Sequence, residues 1–178
     1  HGPGMADIEV EILRTRAQDG DLEAQFDLAL RYSDGTGVPE SASTAFRWLR
    51  RAADQGHVEA MAALGRCYHG GLGVVVDESE ALHWYDRAFE AGCDEVHLDL
   101  GQLLSAPESA VRDLQRALDV LQEGWDDHAD PACAGLLGEL HEEELDDEEA
   151  ALRWVRIAAD AGDSSSMVTL GYRYRFGE

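Results

Sequence analysis

Lysine and asparagine are absent from this chain, and cysteine and proline are scarce, with three and four residues among 178. The 14 basic residues are all arginine, and 37 Asp and Glu outnumber them, which gives a formal net charge of −23. So negative a chain repels the phosphates of nucleic acids and of anionic membrane surfaces, and it attracts basic surfaces. Long apolar runs are also missing, so no membrane insertion is expected. A GC-rich or salt-adapted source would produce the same bias, so acidity alone does not identify the partner.

The three cysteines show no pattern of a disulfide or a metal site. Cys67, Cys93 and Cys133 are odd in number, lack Cys-x-x-Cys spacing, and lie where we expect buried or half-buried positions. Free thiols indicate a reducing compartment, and we expect a cytoplasmic protein. Residues 1–5, which begin His-Gly-Pro-Gly, resemble the remnant of a purification tag, so a native export signal could have been removed in cloning.

Known catalytic and metal-binding patterns are missing as well. His69-Gly70-Gly71 is similar to the oxyanion-hole segment of esterases, but no Gly-x-Ser-x-Gly motif accompanies it. His141-Glu142 lacks the second histidine of a zinc helix. The aspartates between 126 and 130 lack the glycine and the glutamate of a calcium loop and leave only weak divalent-cation binding open. We therefore expect no enzyme activity, no cofactor and no metal site.

Two segments of the chain are near copies that lie 36 residues apart. A period in this range is typical of solenoids, in which each unit buries its apolar face only against its neighbours. The function class that such repeats favour is protein binding. The recurring residues are Gly20, Leu28, Tyr32, Gly37, Val38, Ala45, Trp48 and Ala52 in the first copy, and Gly56, Leu64, Tyr68, Gly73, Val74, Ala81, Trp84 and Ala88 in the second.

Within one repeat, the spacing of apolar residues predicts two helices. Ala60, Leu64 and Tyr68 lie four residues apart, and the apolar residues between 81 and 88 follow at steps of three and four. A glycine-rich turn separates the two stretches, and Asp77 has the character of an N-cap for the second helix. Each repeat is therefore predicted to be a helical hairpin, and the chain an all-α protein.

The same period predicts the boundaries of one elongated domain over residues 6–178. We expect a capping helix at 6–18, repeats at about 19–55, 56–91, 92–123 and 124–161, and a half repeat at 162–178. The third repeat has diverged, because Gly124 follows Gly92 after only 32 residues. This shortening predicts a shorter turn around Ser105-Ala106-Pro107. The chain stops after half a repeat, which indicates either truncation or an end that stacks on something else.

The motif is long enough to indicate a family. Gly-x-x-x-Ala-x-x-x-Leu-Gly-x-x-Tyr, then Gly-x-Gly-Val, then Ala-x-x-Trp-x-x-x-Ala-x-x-x-Gly runs through 56–92, and through 20–56 with Ala29 in place of a glycine. It resembles the Sel-one-like repeat family, relatives of the tetratricopeptide repeats. The resemblance covers about residues 17–178 and is weak between about 103 and 136. It implies a right-handed α-solenoid of helix-turn-helix repeats that scaffolds protein complexes, often in bacteria, without catalytic residues.

Acidic residues are concentrated between Trp125 and Leu152, where eleven of them occur without any arginine. One interpretation is a solvated loop followed by the start of the helix that carries Trp154, since carboxylates suit a helix N-terminus. The other is a docking patch for a basic surface. The sequence leaves both open.

The resemblance also implies where a partner would bind. In related helical-hairpin solenoids, the first helix of each repeat lines the concave face, with side chains five and two before and two and five after the repeat leucine. Apolar residues among charges at such positions favour a protein-binding groove, unless the helix phase is off by one and they pack in the core. The positions are Glu23, Phe26, Leu30, Ser33, Glu59, Ala62, Arg66, His69, Glu95, Leu98, Gln102, Ser105, Glu139, Glu142, Tyr172 and Arg175.

Three functions follow from these features. We expect a scaffold or adaptor that binds a basic protein or peptide in its concave face. A small acidic bacterial protein matched to a basic effector would look the same, so an immunity or antitoxin protein is the alternative. A structural role through self-association of the open C-terminal end is a third.

Overall fold

The computed structural model describes residues 5–176, and within them the chain forms ten helices and no strand. The tag-like residues 1–4 lie outside the described range. The all-α prediction is confirmed. The helices divide between two compact units, His1–Cys93 and Asp94–Glu178.

Unit 1 contains the capping helix and the two best-matched repeats. Asp77 caps the fifth helix as predicted, since its carboxylate accepts a hydrogen bond from the Glu80 N–H at 3.0 Å. Asp21, Ser41 and His57 cap three other helices. The helices are α1 (Met5–Gln18), α2 (Leu22–Asp34), α3 (Ala42–Asp54), α4 (Val58–Gly70) and α5 (Glu78–Glu90).

The Leu-Gly pair of the repeat forms a notch where the two helices of a hairpin meet. A Cβ atom at Gly65 would lie 2.4 Å from the Tyr85 ring, so only glycine lets α5 approach this closely. Gly73, with φ +74°, has the same constraint in the turn, since a Cβ atom there would lie 2.2 Å from the Ala42 carbonyl oxygen. These two glycines therefore fix how α5 and its turn pack.

Packing and polar contacts between neighbouring repeats of unit 1 follow the same period. Trp48 packs on a cluster that α1 and α2 form, while the Trp84 ring lies under two arginine guanidinium groups. Arg14 donates a hydrogen bond to the Tyr32 hydroxyl at 3.2 Å, and 36 residues later Arg50 donates to the Tyr68 hydroxyl at 3.1 Å. The repeat thus preserves surface contacts as well as the core.

Unit 2 departs from the predicted boundaries. Gly124, expected at a repeat boundary, lies inside a helix and is buried close to Cys133. The turn comes at Ala129, whose φ of +51° puts it in the left-handed region that Gly20, Gly56, Gly92 and Gly162 occupy elsewhere. The helices are α6 (Val96–Ser105), α7 (Leu114–His128), α8 (Pro131–Glu143), α9 (Glu148–Asp160) and α10 (Ser164–Phe176).

The third repeat is not shortened, because the turn at Ala129 comes 37 residues after Gly92. α6 has 10 residues where α4 has 13, and the connection 106–113 is no shorter than the connection 71–77 in unit 1. Packing nevertheless follows the repeat, because a Cβ atom at Gly101 would lie 2.5 Å from Leu121 Cδ2. Leu121 continues into a cluster with Cys133, Leu137 and Leu140. All three cysteines are buried and form no disulfide, as predicted.

The last helix, α10, exposes positions that are buried in α4. Met167 is 50% exposed and Tyr174 68% exposed, whereas Met61 and Tyr68, at the same repeat positions in α4, are 5% and 8% exposed. Among residues 5–176, no atom outside its own helix lies within 4 Å of a Cβ atom built on Gly171, so its notch is open there.

The acidic run contributes to the start of α9. The Asp147 carboxylate accepts a hydrogen bond from the Ala150 N–H at 3.0 Å, and Glu148 and Glu149 fill the first turn. These carboxylates face the positive end of the helix dipole. At least part of the run therefore has the structural role that the sequence left open. None of the helices within residues 5–176 is long and apolar enough to cross a membrane.

Candidate protein-binding surface

In unit 1, the side chains predicted to face a partner, except Ala62, are at least partly accessible. Glu23, Leu30 and Glu59 are exposed, and Leu30 retains 46% of its surface although it is apolar. Phe26, Arg66 and His69 are half-buried, and the His69 ring meets the Tyr85 ring edge-on at 6.4 Å. Ala62, which the same spacing assigns to this face, is buried and offers no contact.

Three of these predicted residues converge on a histidine that the sequence did not single out. The Phe26 ring lies 4.6 Å from the His57 ring at an interplanar angle of 30°. Glu23 Oε1 lies 3.5 Å from His57 Nε2, and Glu59 Oε2 lies 3.3 Å from His57 Nδ1. His57 stands at the N-cap of α4, a position that aspartate holds at Asp21. The change from aspartate to histidine was the available signal.

A hydrogen bond between buried Gln25 and exposed Gln55 links α2 to the turn before α4. Gln25 donates a hydrogen bond to the Ala17 carbonyl oxygen at 3.0 Å, and Gln55 donates to the Gln25 side-chain oxygen at 3.0 Å. Gln25 is 1% exposed, so its amide needs these partners. Phe26 follows Gln25 and His57 lies two residues after Gln55, so the pair joins the two segments that carry the rings.

In unit 2, the predicted apolar contact residue packs against a core cluster and stays partly accessible. Leu98 is half-buried and packs against the cluster that Leu121, Cys133, Leu137 and Leu140 form. This packing agrees with the alternative that the sequence left open, in which an apolar residue at such a position contributes to the core. Ser105 is buried as well, while Glu95 and Gln102 are exposed.

The remaining predicted residues lie on α8 and α10. Burial raises the pKa of the Glu139 carboxyl, and the nearby carboxylates of Glu143 and Asp163 raise it further. Glu142 is exposed and accepts a hydrogen bond from Arg173 of α10. Tyr172 and Arg175 line a shallow cavity of about 200 Å³ on α10. The structure thus brings Glu142 to α10 through Arg173, whereas Glu139 has acidic neighbours.

Histidine, cysteine and carboxylate side chains in the described part of the chain form no group of three or more that could hold a metal ion. Around His57, the two carboxylates approach opposite ring nitrogens, so they do not converge on one point. The arrangement instead presents two negative groups beside an aromatic stack.

Comparison with known proteins identifies the repeat. The family model of the Sel1 repeat matches residues 22–57, 58–93 and 133–163, together more than half of the chain. The interval between the second and third matches contains the short helix α6 and the displaced turn at Ala129. No curated protein sequence matches the chain significantly.

Solved structures with the same repeat resemble the chain along most of its length. The Sel1 repeat protein from Oxalobacter formigenes is 29% identical, with a TM-score of 0.79, and the match covers 95% of this chain and 70% of that one. The protective antigen c5321 of uropathogenic Escherichia coli strains, which displays this repeat fold, is 28% identical, with a TM-score of 0.80. The match covers 94% of this chain and only 36% of the antigen.

A more distant structure shares the fold alone. The immunity protein Pa5087 from Pseudomonas aeruginosa is 20% identical, with a TM-score of 0.54, over 87% of this chain and 59% of that one. The repeat motif, the helical hairpins and the family match agree, and this chain belongs to the Sel1 repeat family.

Proposed function

We propose that this protein is a non-catalytic interaction module that binds a basic protein or peptide through one face of unit 1. This face lies on α2 and α4, the first helices of the two hairpins, and carries Glu23, Phe26, Leu30 and Glu59. The observation that carries the proposal is the accessible apolar pair Phe26 and Leu30 on α2, beside the exposed carboxylates of Glu23 and Glu59. Apolar contact area ringed by charge is what a protein-binding site requires. The net charge of −23 supports a basic partner.

The test uses one exposed position on this face and one elsewhere. Leu30→Ser should reduce partner capture from a lysate of the source organism, while the melting temperature stays unchanged because Leu30 is already exposed. Val75→Ser is the matched control, since Val75 is 84% exposed in the α4–α5 turn of the same unit. Capture of the same protein by both variants at equal yield would contradict the proposal.

Leu98→Ser separates a binding effect from a folding effect. Because Leu98 packs on the unit 2 cluster, we expect this change to lower the free energy of unfolding by about 2–4 kcal/mol. Loss of binding in Leu98→Ser would therefore not locate a partner, whereas loss in Leu30→Ser with normal stability would.

An immunity role is the second candidate. The distant fold match with an immunity protein and the strongly acidic composition favour it together. A protein that neutralises a toxin should bind one partner tightly in a one-to-one complex, so titration calorimetry with the captured protein distinguishes this role from a scaffold that binds several partners weakly.

Self-association is the third candidate, and the open face of α10 favours it. Light scattering coupled to size-exclusion chromatography should then show a mass that grows with concentration. Tyr174→Ser should return the protein to a monomer, because Tyr174 is among the most exposed apolar side chains of that helix.

A further inference from the structure

His57 is a buried titratable side chain that the proposed interaction face does not yet explain. Its side chain is 5% exposed, and its Nδ1 accepts a hydrogen bond from the Ala60 N–H at 3.2 Å as the N-cap of α4. An imidazole nitrogen that accepts a hydrogen bond carries no proton, so the neutral ring carries its proton on Nε2.

That Nε2–H group has no hydrogen-bond partner among the described residues. Glu23 Oε1 lies 3.5 Å from it without forming a hydrogen bond. A buried donor without a partner is unfavourable, and a small movement of the Glu23 carboxylate would supply the missing acceptor. Glu23 is free to move, since 79% of its side chain is exposed.

The second carboxylate, Glu59, lies beside a ring nitrogen that has no proton to donate. Glu59 Oε2 lies 3.3 Å from Nδ1, whose lone pair already accepts the Ala60 N–H. Two negative groups, Glu23 and Glu59, therefore flank one imidazole. Both carboxylates are exposed and add negative charge beside the ring.

We infer that Glu23, Phe26, His57 and Glu59 form a receptor for an arginine side chain of the protein partner. The inference rests on the proposed function, since it names the chemistry that the same face recognises. A guanidinium group would pair with the exposed carboxylates and hold Glu23 where its oxygen accepts the hydrogen bond from His57 Nε2. Each ring nitrogen would then have one partner.

The aromatic stack favours arginine over lysine. The Phe26 and His57 rings lie at 30° to each other with centroids 4.6 Å apart, and Phe26 remains partly accessible. A planar guanidinium stacks on an aromatic face and offers five N–H donors to two carboxylates, whereas an ammonium group offers three donors around a point charge. The receptor therefore selects for planarity as well as for charge.

The test is a titration of the full ¹⁵N-labelled chain with N-acetyl-arginine N-methylamide, observed through the histidine ring resonances. The His57 Nε2 and Hε2 signals and the Glu23 and Phe26 amides should shift saturably, with a dissociation constant in the millimolar range. N-acetyl-citrulline N-methylamide, which has the same shape without the charge, should bind at least about tenfold more weakly. Equal shifts with both probes, or none, would overturn the inference.

Charge variants test which carboxylates bind the arginine probe. Glu23→Gln and Glu59→Gln should each weaken binding of the arginine probe, and in Glu23→Gln the His57 Nε2 shift should be lost. Glu90→Gln is the control, because Glu90 is an exposed carboxylate at the end of α5. If Glu90→Gln weakens the probe as much as Glu23→Gln, only the net charge of the protein attracts it, and the receptor is wrong.

The arginine-probe experiment tests the receptor, and the partner-capture experiment tests the binding face, so a negative result in one does not decide the other. If Leu30→Ser reduces partner capture but the arginine probe leaves His57 unmoved, the binding face is correct and the arginine receptor is wrong. If the probe shifts His57 but capture is insensitive to Leu30→Ser, the receptor stands and the proposed extent of the face is wrong.

Discussion

At the scale of single residues, the glycine of the Leu-Gly pair offers a matched test of helix packing. Gly65→Ala places a Cβ atom 2.4 Å from the Tyr85 ring, so it should lower the free energy of unfolding by about 1–3 kcal/mol, as overpacking does. Gly171→Ala at the same repeat position meets no atom within 4 Å and should raise helix stability by up to about 1 kcal/mol.

Thermal unfolding followed by circular dichroism compares the two variants with the parent chain. A decrease in Gly171→Ala as large as that in Gly65→Ala would mean that the face of α10 is covered in solution, because an open notch accommodates a methyl group without strain.

The buried thiol of Cys133 predicts a dependence of stability on pH. Burial raises the pKa of Cys133 to about 12, with a further contribution from Asp130. The unfolded thiol ionises near its ordinary value of 9.0, while the folded thiol stays protonated. Stability is therefore fully present below that value and declines as pH rises toward about 12, by at most about 1.4 kcal/mol per pH unit.

The measurement is the urea midpoint between neutral and alkaline pH, with Cys133→Ala as the control for other groups that titrate there. The variant should lose the part of the decline that belongs to this thiol. Parallel curves for both proteins would show that Cys133 does not titrate differently in the folded state.

Residue identities predicted the binding face only in part. Glu23, Leu30 and Glu59 are exposed as their spacing indicates, whereas Leu98 is half-buried and packs against a core cluster. The spacing fixes which side of a helix a residue occupies but not how the helix rotates against a diverged neighbour. The sequence did not predict His57 as a residue of the binding surface, because its contacts depend on the tautomer of the ring and on two carboxylates from different helices.

At the scale of helices, the end of α7 is strained where its repeat counterparts are not. Ala129 adopts φ +51°, a conformation that disfavours a residue with a Cβ atom by roughly 1 kcal/mol or more. Ala129→Gly should therefore stabilise the protein by about 0.5–1 kcal/mol. Calorimetry measures the shift of the unfolding temperature, and an unchanged or lower temperature would argue that Ala129 does not end the helix in this way.

The presence of the helices could be predicted from the sequence, because the apolar periodicity and the capping residues indicate the same helices in most repeats. The predicted boundary at the end of the third repeat was wrong for a physical reason. The sequence signal for a boundary is a glycine, and here alanine occupies the left-handed position while Gly124 serves close packing near Cys133 inside α7. A glycine can permit either a turn or a close approach, and the sequence does not state which.

At the scale of the whole molecule, net charge should oppose folding and favour association with a basic partner. With −23 on 178 residues, like charges repel each other in the compact state, and added salt screens this repulsion. The melting temperature should therefore rise between low and moderate sodium chloride, while partner binding weakens over the same range.

These opposite responses are measured on one sample series, by differential scanning fluorimetry and by titration with the captured partner. Sucrose serves as the control, because it stabilises proteins without screening charge. If salt and sucrose have the same effects on stability and binding, electrostatic repulsion is not the cause.

The 36-residue periodicity of the contacts in unit 1 has a consequence for how repeat proteins gain or lose length in evolution. The hydrogen bond from Arg14 to Tyr32 and the one from Arg50 to Tyr68 are equivalent contacts at successive repeats. A duplicated hairpin inserted between them would meet a matching surface on each side, so no new core would have to evolve. Length is therefore a property that gene duplication can adjust in whole hairpins, while the sequence of each hairpin remains free to specialise for a different ligand.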